Sequence, residues 1–310
     1  AAASALWYNA PVIGRALVIA SIALCAPREA LATACCGEAS GLGDRLLDAE
    51  VAAMSFRAST RGRVGSFGSD GAFHALPAGV TDVELGLSAS TAVRLTSRLE
   101  IGAESAGKLN VRGLQGESNV GGGVGDVRTH VRFAVLRATE DRYVPGVYLV
   151  VGALLPTGVP ASRSTPGSLQ ANVTGQGNAE VLLGFSIEKT YESAVFVRTE
   201  ASVGLFIPET IDTLAVARSP RLGIQTLVGP VLDPLVLGAG VAYEHEAAPP
   251  GTAAGTSGRS KLELVFAASI DLDVKTSLLA NVRTPLPIDH FGTNEVTSIS
   301  GSVGARFGFF

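Results

Sequence analysis

The chain has 310 residues, of which 46% are hydrophobic and 37 are glycine, and its mean hydropathy is +0.33. Disorder is excluded, because disordered chains are poor in hydrophobic residues. The formal net charge is −4 and no run of five or more like charges occurs, so we expect no nucleic-acid partner. The longest uncharged apolar segment is shorter than the roughly 20 residues that a membrane-spanning helix needs. A closed β-barrel explains how a chain can be this hydrophobic without a membrane-spanning helix, since its strands present apolar residues at every second position only.

The first predicted element is a secretion signal. Arg15 precedes the apolar residues 16–26, Pro27 ends that stretch, and residues 30–32 form an A-x-A signal-peptidase site. This order predicts export in a Gram-negative cell, with the mature chain starting at Thr33. A buried helix of the folded domain is the alternative for the same segment.

Three parts of the chain follow from this assignment. We expect a signal peptide at residues 1–32, a periplasmic N-terminal segment at 33–48 and an outer-membrane β-barrel at 49–310. The N-terminal segment holds the adjacent Cys35 and Cys36. A strained disulfide, a lipidated Cys35 and a tail without chemistry all stay open for this pair. No metal site is expected, because nothing nearby supplies the three or four ligands that a metal needs.

Alternating polar and apolar residues predict strands along the rest of the chain. Met54 and Phe56, for example, alternate with Ser55 and Arg57, which gives one apolar and one polar face. Twelve segments show this pattern, some of them weakly: residues 52–61, 82–89, 98–104, 126–135, 147–155, 178–188, 195–203, 221–228, 235–246, 261–273, 277–284 and 297–310. We therefore expect an all-β fold, a transmembrane antiparallel up-and-down β-barrel of about 12 strands. A soluble β-sandwich is the alternative, because its core also produces alternation.

The predicted connections alternate between long and short. The long ones are residues 65–78, 107–122, 156–177, 207–219, 247–260 and 285–295, and the short ones lie near Ser97, Asp141, Thr190, Pro230 and Asp273. Outer-membrane barrels have long outer loops and short periplasmic turns. This pattern places both chain ends in the periplasm.

The last strand suggests how the barrel is assembled. Its apolar face runs through Val303, Ala305, Phe307 and Phe309, one residue out of step with the terminal Phe310. A terminal Phe on an amphipathic strand resembles the signal that the outer-membrane assembly machinery recognises. We expect the barrel-assembly machinery and the lipid bilayer of the outer membrane as partners.

Three glycine-containing motifs follow one another in the middle of the chain. Residues 123–133 contain G-x-G-D, residues 145–158 end in L-P-T-G, and residues 174–180 open with T-G-x-G. In this order they resemble outer-membrane transporters associated with the meta-pathway of phenol degradation, with a close match from Gly123 to about Leu205. The resemblance implies a porin-like channel for passive passage of small molecules, hydrophobic or aromatic ones among them. It implies no binding residue.

Charged and polar residues on the inward faces are the candidates for lining the lumen. They are Arg57, Arg61, Asp82, Glu84, Arg98, Glu100, Glu104, Asp126, Arg128, His130, Arg132, Glu180, Arg198, Glu200, Glu263, Asp271, Arg283 and Arg306. Rings of such charges would set the selectivity of a permeation path. Alternatively, neighbouring strands pair these charges, because unpaired charge in a narrow barrel is costly.

Two other functions are alternatives to a channel. One is a structural or anchoring barrel whose lumen is plugged by loops or by residues 33–47. The other is an outer-membrane hydrolase, but none of the four His residues has a partner at a diagnostic spacing and G-x-S-x-G is absent. We therefore expect no enzyme, no catalytic residue and no cofactor, and the transported solute is not named by the sequence.

Overall fold

The computed structural model describes residues 46–47, 49–137, 143–191, 194–211, 214–216, 218–248 and 258–310. The predicted signal peptide and nearly all of the predicted periplasmic segment, with Cys35 and Cys36, lie outside the described residues. Where it is described, the chain is almost entirely β-structure, with one 3₁₀ turn at Ala161–Arg163. No helix in this part of the chain is long and apolar enough to cross a membrane.

The described residues form seventeen strands, which are numbered in chain order. They are β1 (Ala52–Phe67), β2 (Phe73–Ala75), β3 (Val80–Arg94), β4 (Leu99–Leu114), β5 (Glu117–Val124), β6 (Val127–Leu136), β7 (Gly146–Leu155), β8 (Glu180–Tyr191), β9 (Val195–Phe206), β10 (Glu209–Ile211), β11 (Leu214–Val216), β12 (Arg221–Leu232), β13 (Leu235–Glu246), β14 (Arg259–Asp271), β15 (Thr276–Pro285), β16 (Gly292–Thr293) and β17 (Val296–Phe309). Twelve long strands build the barrel: β1, β3, β4, β6, β7, β8, β9, β12, β13, β14, β15 and β17. The others are additions, because β2, β5 and β16 extend β1, β4 and β14, while β10 and β11 form a separate hairpin.

Each barrel strand pairs antiparallel with the next barrel strand along the chain. The last one, β17, returns to β1 and pairs with it from Ala52 opposite Phe309 to Ser66 opposite Val296. The sheet is therefore closed and leaves no unpaired edge in the lipid. The prediction of an antiparallel up-and-down barrel of about 12 strands is confirmed.

Exposure shows which medium meets each face of the sheet. On the outward face, Phe56 and Leu87 are 50% and 71% exposed, whereas the inward Arg132 and Arg306 are 1% and 2% exposed. A soluble β-sandwich would bury its apolar faces and expose its charges. An apolar exterior around a charged interior is what a bilayer demands. The sandwich alternative is wrong, and the protein is an outer-membrane β-barrel.

Short turns and both ends of the described barrel lie at the same end. Residues 95–98, 233–234 and 272–275 join β3 to β4, β12 to β13 and β14 to β15. Outer-membrane barrels direct such an end to the periplasm. We call it the periplasmic end, and we call the opposite end, which carries the long connections, the outer end.

Two predicted connections differ from the structure. In place of a loop at residues 107–122, β4 continues and turns through Gln115 and Gly116, with φ of 51° and 92°, into β5. Glycine-rich segments such as β5 have no side chains to alternate, so the pattern hides the strand. Pro230 is not at a turn but inside β12, where it lies opposite Val195 of β9.

Candidate functional site in the barrel lumen

A buried ion pair lies at the periplasmic end of the lumen. Glu50, just before β1, is 0% exposed, and Arg306 points inward from β17. Arg306 Nη1 donates to Glu50 Oε1 over 2.6 Å, and Nη2 donates to Oε2. Glu50 Oε2 also accepts a hydrogen bond of 2.7 Å from the backbone N–H of Leu47. These charge-assisted bonds hold the chain before β1 inside the barrel.

The two leucines before β1 fill the same end. Leu46 and Leu47 are 3% and 4% exposed, and Leu46 packs with buried alanines of β1 and β3. Arg94 Nη2 donates to the Leu47 carbonyl over 2.8 Å and to Glu100 Oε1 over 3.0 Å. Two ion pairs and two leucines therefore occupy the periplasmic mouth.

Further buried side chains fill the lumen above this mouth. Arg198 and Glu200 of β9 are 3% and 1% exposed and pair through Nε and Oε1 at 2.8 Å. Arg132 lies with its guanidinium carbon 5.8 Å from the centre of the Tyr148 ring. Apolar inward residues pack around them: Val150, Phe196, Leu227, Val236, Val265 and Leu279. We call this packed region the inner half of the lumen.

A cavity of about 470 Å³ lies toward the outer end of the lumen. We call it the outer cavity. Eight cationic side chains line it, namely Arg61, Lys108, Arg128, Arg218, Arg221, Arg259, Lys261 and Arg283, and four acidic ones, namely Glu180, Glu244, Glu246 and Glu295. The cavity lining is therefore rich in positive charge, although the whole chain carries a net charge of −4.

Acidic residues neutralise part of this positive charge. Glu246 Oε2 lies 2.7 Å from Arg218 Nη2 and 2.6 Å from Arg259 Nη2. The Arg218 guanidinium also stacks 3.9 Å from the centre of the Phe206 ring. The shared carboxylate holds both arginines at the wall of the cavity, and the Phe206 ring adds a cation–π contact to Arg218.

Three further cations have carboxylate partners. Arg221 Nη2 lies 2.8 Å from Glu180 Oε1. Lys261 Nζ is 3.4 Å from Glu263 Oε1, and Arg283 Nη1 is 3.6 Å from Glu263 Oε2. Lys261 Nζ also lies 3.4 Å from Glu244 Oε2, so these three cations are matched by three carboxylates.

Arg61 and Arg128 differ from the other six cations. Lys108 Nζ, which lines the cavity with them, lies 3.4 Å from Glu84 Oε2. Within the described part of the chain, no hydrogen bond or ion pair joins the side chain of Arg61 or Arg128 to another residue, and both side chains are exposed to the cavity. Two guanidinium groups are therefore available to a solute.

Glu295 adds a titratable group to the cavity, in the connection before β17. Its side chain is 24% exposed and lies 4.0 Å from Arg259 Nε. Burial raises the pKa of this carboxyl above its ordinary value, and the neighbouring Glu244 raises it further, against the opposing pull of Lys261, Arg259 and Arg61.

The connection between β7 and β8, residues 156–179, folds into the lumen. Asn110 faces inward from β4, and its Nδ2 donates to the carbonyls of Ala171 and Val173 over 2.8 and 2.7 Å. A Cβ on Gly121 of β5 would lie 2.8 Å from the carbonyl carbon of Ala171. Glycine at this position lets the loop backbone approach the wall.

The three motifs of the family resemblance meet at the base of this loop. Asp126 of G-x-G-D accepts a 3.0 Å bond from the Gly158 N–H of L-P-T-G and a 2.7 Å bond from the Gln176 N–H of T-G-x-G. A Cβ on Gly158 would lie 2.7 Å from the Cα of Gly175. The motifs therefore fix the position of a loop that occupies the outer lumen.

The eighteen residues predicted to line the lumen take different places in the structure. Those that line the outer cavity are Arg61, Arg128, Glu180 and Arg283. Those buried deeper are Arg57, Arg132, Arg198, Glu200, Glu263 and Arg306. Those that are half-buried, each interacting with another residue, are Asp82, Glu84, Glu100, Glu104, Asp126, His130 and Asp271.

Arg98 is the exception, since it lies outside the barrel strands. It is exposed in the turn at residues 95–98, because β4 begins only at Leu99 and a turn residue is not oriented by the pleat of the sheet. The pattern missed Lys108, although it has the same inward parity as Glu104. It also missed Glu50, whose partner Arg306 is 256 residues away.

No protein-family model and no curated protein matches this chain. Solved structures do resemble it. The COG4313 outer membrane channel from Pseudomonas putida F1 has a TM-score of 0.67 at 13% identity, covering 85% of this chain and 97% of that one. The NanC porin (TM-score 0.49, 8% identity, 83% and 100% coverage) and the CymD monoaromatic hydrocarbon channel (TM-score 0.43, 10% identity, 84% and 89% coverage) are more distant.

The likeness to the Pseudomonas putida protein shows a shared barrel fold. It is consistent with the outer-membrane transporter resemblance that the three motifs predict. At 13% identity the likeness does not transfer a solute or a binding residue.

Proposed function

We propose that this protein is an outer-membrane channel for the passive passage of small molecules, hydrophobic or aromatic ones among them. One observation supports this most directly: a lipid-facing barrel encloses a polar cavity of about 470 Å³. That volume lies in the range of about 300 to 1,000 Å³ typical of small-molecule sites. The shared fold with a protein described as an outer membrane channel is in line with the proposal.

A plugged structural or anchoring barrel is the second candidate. The buried pair of Glu50 and Arg306 and the buried Leu46 and Leu47 favour it, since they occupy the periplasmic mouth. For a solute to cross, this segment has to move aside or leave a narrow path. The two candidates therefore differ in whether the wild-type lumen conducts.

Liposome swelling separates these candidates. Protein refolded into liposomes is exposed to small sugars, amino acids and phenolic compounds, in parallel with the E50A/R306A variant and with R98A as a surface control. Swelling with the wild type supports the channel. If only E50A/R306A permits swelling, the protein is a plugged barrel, and if neither variant nor wild type does, the channel proposal fails.

The proposed function is not enzymatic. Barrel hydrolases need a Ser–His pair on the outer wall. The sheet register places His74 of β2 opposite Ser66 of β1, with no hydrogen bond between the two side chains. It also places His245 of β13 opposite Ser260 of β14. No hydrogen bond joins these two side chains, and the His245 ring stacks on Tyr243 with centroids 6.5 Å apart. We expect the refolded barrel to hydrolyse neither phospholipids nor nitrophenyl esters. Hydrolysis that S260A abolishes would contradict this expectation.

A further inference from the structure

We infer that the outer cavity is a binding site for a small organic anion, a carboxylate attached to a compact apolar body. This inference rests on the proposed channel function and names the class of solute that the channel would take. Eight cationic and four acidic side chains line the cavity, and the enclosing wall of low dielectric strengthens their field at its centre.

Arg61 and Arg128 are the groups that would hold the carboxylate. Six of the eight cations have a carboxylate within 4 Å, whereas Arg61 and Arg128 have no ion pair within the described part of the chain. An arginine presents a planar fork of donors that fits a carboxylate with two parallel hydrogen bonds. Because both side chains are exposed to the cavity, they meet such a ligand without first breaking an internal pair.

Lys108 strengthens the same side of the wall. Arg61, Lys108 and Arg128 extend from β1, β4 and β6, and the only barrel strand between β1 and β4 is β3. Lys108 is 3.4 Å from Glu84, at the long end of ion-pair distances, and its side chain is 30% exposed. Glu84 of β3 and Glu104 of β4 lie opposite Arg61 and Arg128 in the sheet register. The sector therefore carries both signs, and its three cations line the cavity.

The adjoining wall offers apolar side chains beside Glu180, whose carboxylate is paired with Arg221. Arg128 of β6 lies opposite Leu154 of β7, and Leu182 of β8 lies opposite Gly152 of β7. Both leucines and the glycine line the outer cavity. A ligand with its carboxylate on the arginines can thus place a ring or short hydrocarbon against the leucines. Inorganic anions would use only the first of these contacts, and neutral aromatic molecules only the second.

Benzoate tests this inference directly. Its binding to the refolded protein in detergent is measured by calorimetry, beside benzamide as the neutral isostere, benzylammonium as the cation and phosphate as the inorganic anion. We expect benzoate to bind most tightly, and R61Q/R128Q to weaken it by about tenfold for each charge-assisted bond removed. R98Q removes one arginine outside the cavity and should behave as wild type. R61K/R128K keeps the positive charges but lacks the planar guanidinium donors, so it should bind benzoate more tightly than R61Q/R128Q and less tightly than the wild type.

Equal affinity for benzoate and benzamide, or equal benzoate affinity in R61Q/R128Q and R98Q, would overturn the inference. Circular dichroism of each variant verifies that the barrel has folded. Benzoate binding without any swelling or conductance would contradict the channel proposal and leave the anion site standing. Conductance without a benzoate preference would support the channel proposal and contradict the anion site.

Discussion

The inner half of the lumen and the outer cavity are built from the same alternating strands, yet they use their inward charges in opposite ways. At the periplasmic mouth and in the inner half above it, Arg306 and Arg198 are at most 3% exposed and each is paired with a buried glutamate. In the outer cavity, Arg61 and Arg128 face open space without such partners. Inward charges of both signs are therefore sorted along the barrel axis into a closed region that holds buried ion pairs and an open region that holds two arginines without ion pairs.

The largest expected effect comes from removing the buried ion pair at the periplasmic mouth. In E50A, Arg306 stays buried without its carboxylate, and removing one partner of a buried pair costs about 3–5 kcal/mol of stability. Chemical unfolding of the refolded barrel, followed by circular dichroism, measures this loss, with R98A as the exposed control. The double variant E50A/R306A should lose less than the sum of the single losses, since the two residues are coupled. Losses that simply add would show that the pair contributes little.

A second effect concerns the loop inside the outer cavity. D126A removes the acceptor of the Gly158 and Gln176 backbone N–H groups, and each bond to a charged group contributes about 1.5–3 kcal/mol. We expect faster amide hydrogen exchange within residues 156–179 and noisier single-channel currents, with the rest of the barrel unchanged. D70A, which removes a carboxylate that accepts from Ala72 in another outer connection, is the matched control. Exchange rates in D126A equal to those in D70A would contradict the role of the motifs.

The smallest expected effect is a pH dependence of the outer cavity. Because burial raises the pKa of Glu295, this carboxyl takes up a proton at a higher pH than an ordinary glutamate, and its protonation removes one negative charge from the cavity. Anion preference should therefore increase, by about twofold or less, as the pH falls from about 7 to about 5. Reversal potentials in a salt gradient measure it. E295Q should show the low-pH preference throughout, and a pH response that persists in E295Q would assign the titration to another group.

Several features of the fold are predictable because they are local. Phe56 and Arg57 differ in polarity and are adjacent, so the pleat alone sends them to opposite faces. Arg98 lies in a turn although alternation includes it in a strand, because alternation gives the phase of a strand more reliably than its end. The strand β5 was missed because its glycines carry no polarity to alternate.

The candidate site is only partly predictable. Arg61, Arg128, Glu180 and Arg283 follow from inward parity. Lys108 has the same parity but lies where the pattern predicts a loop. Which arginines are neutralised does not follow, since Glu180 bonds Arg221 and Glu246 bonds Arg218 and Arg259 across distances set by the closed sheet.

By itself, the sequence determined that strands with one apolar and one polar face cross a membrane, because a period of two fixes which medium each side chain meets. It also predicted the number of strands and the alternation of short and long connections. Only the tertiary structure decided how the charges are used. Glu50 and Arg306 are 256 residues apart and meet because β17 closes on β1, and the motifs of residues 123–180 meet because Asp126 receives two distant backbone N–H groups. Ion pairing depends on distances in space, and these exist only once the barrel has closed.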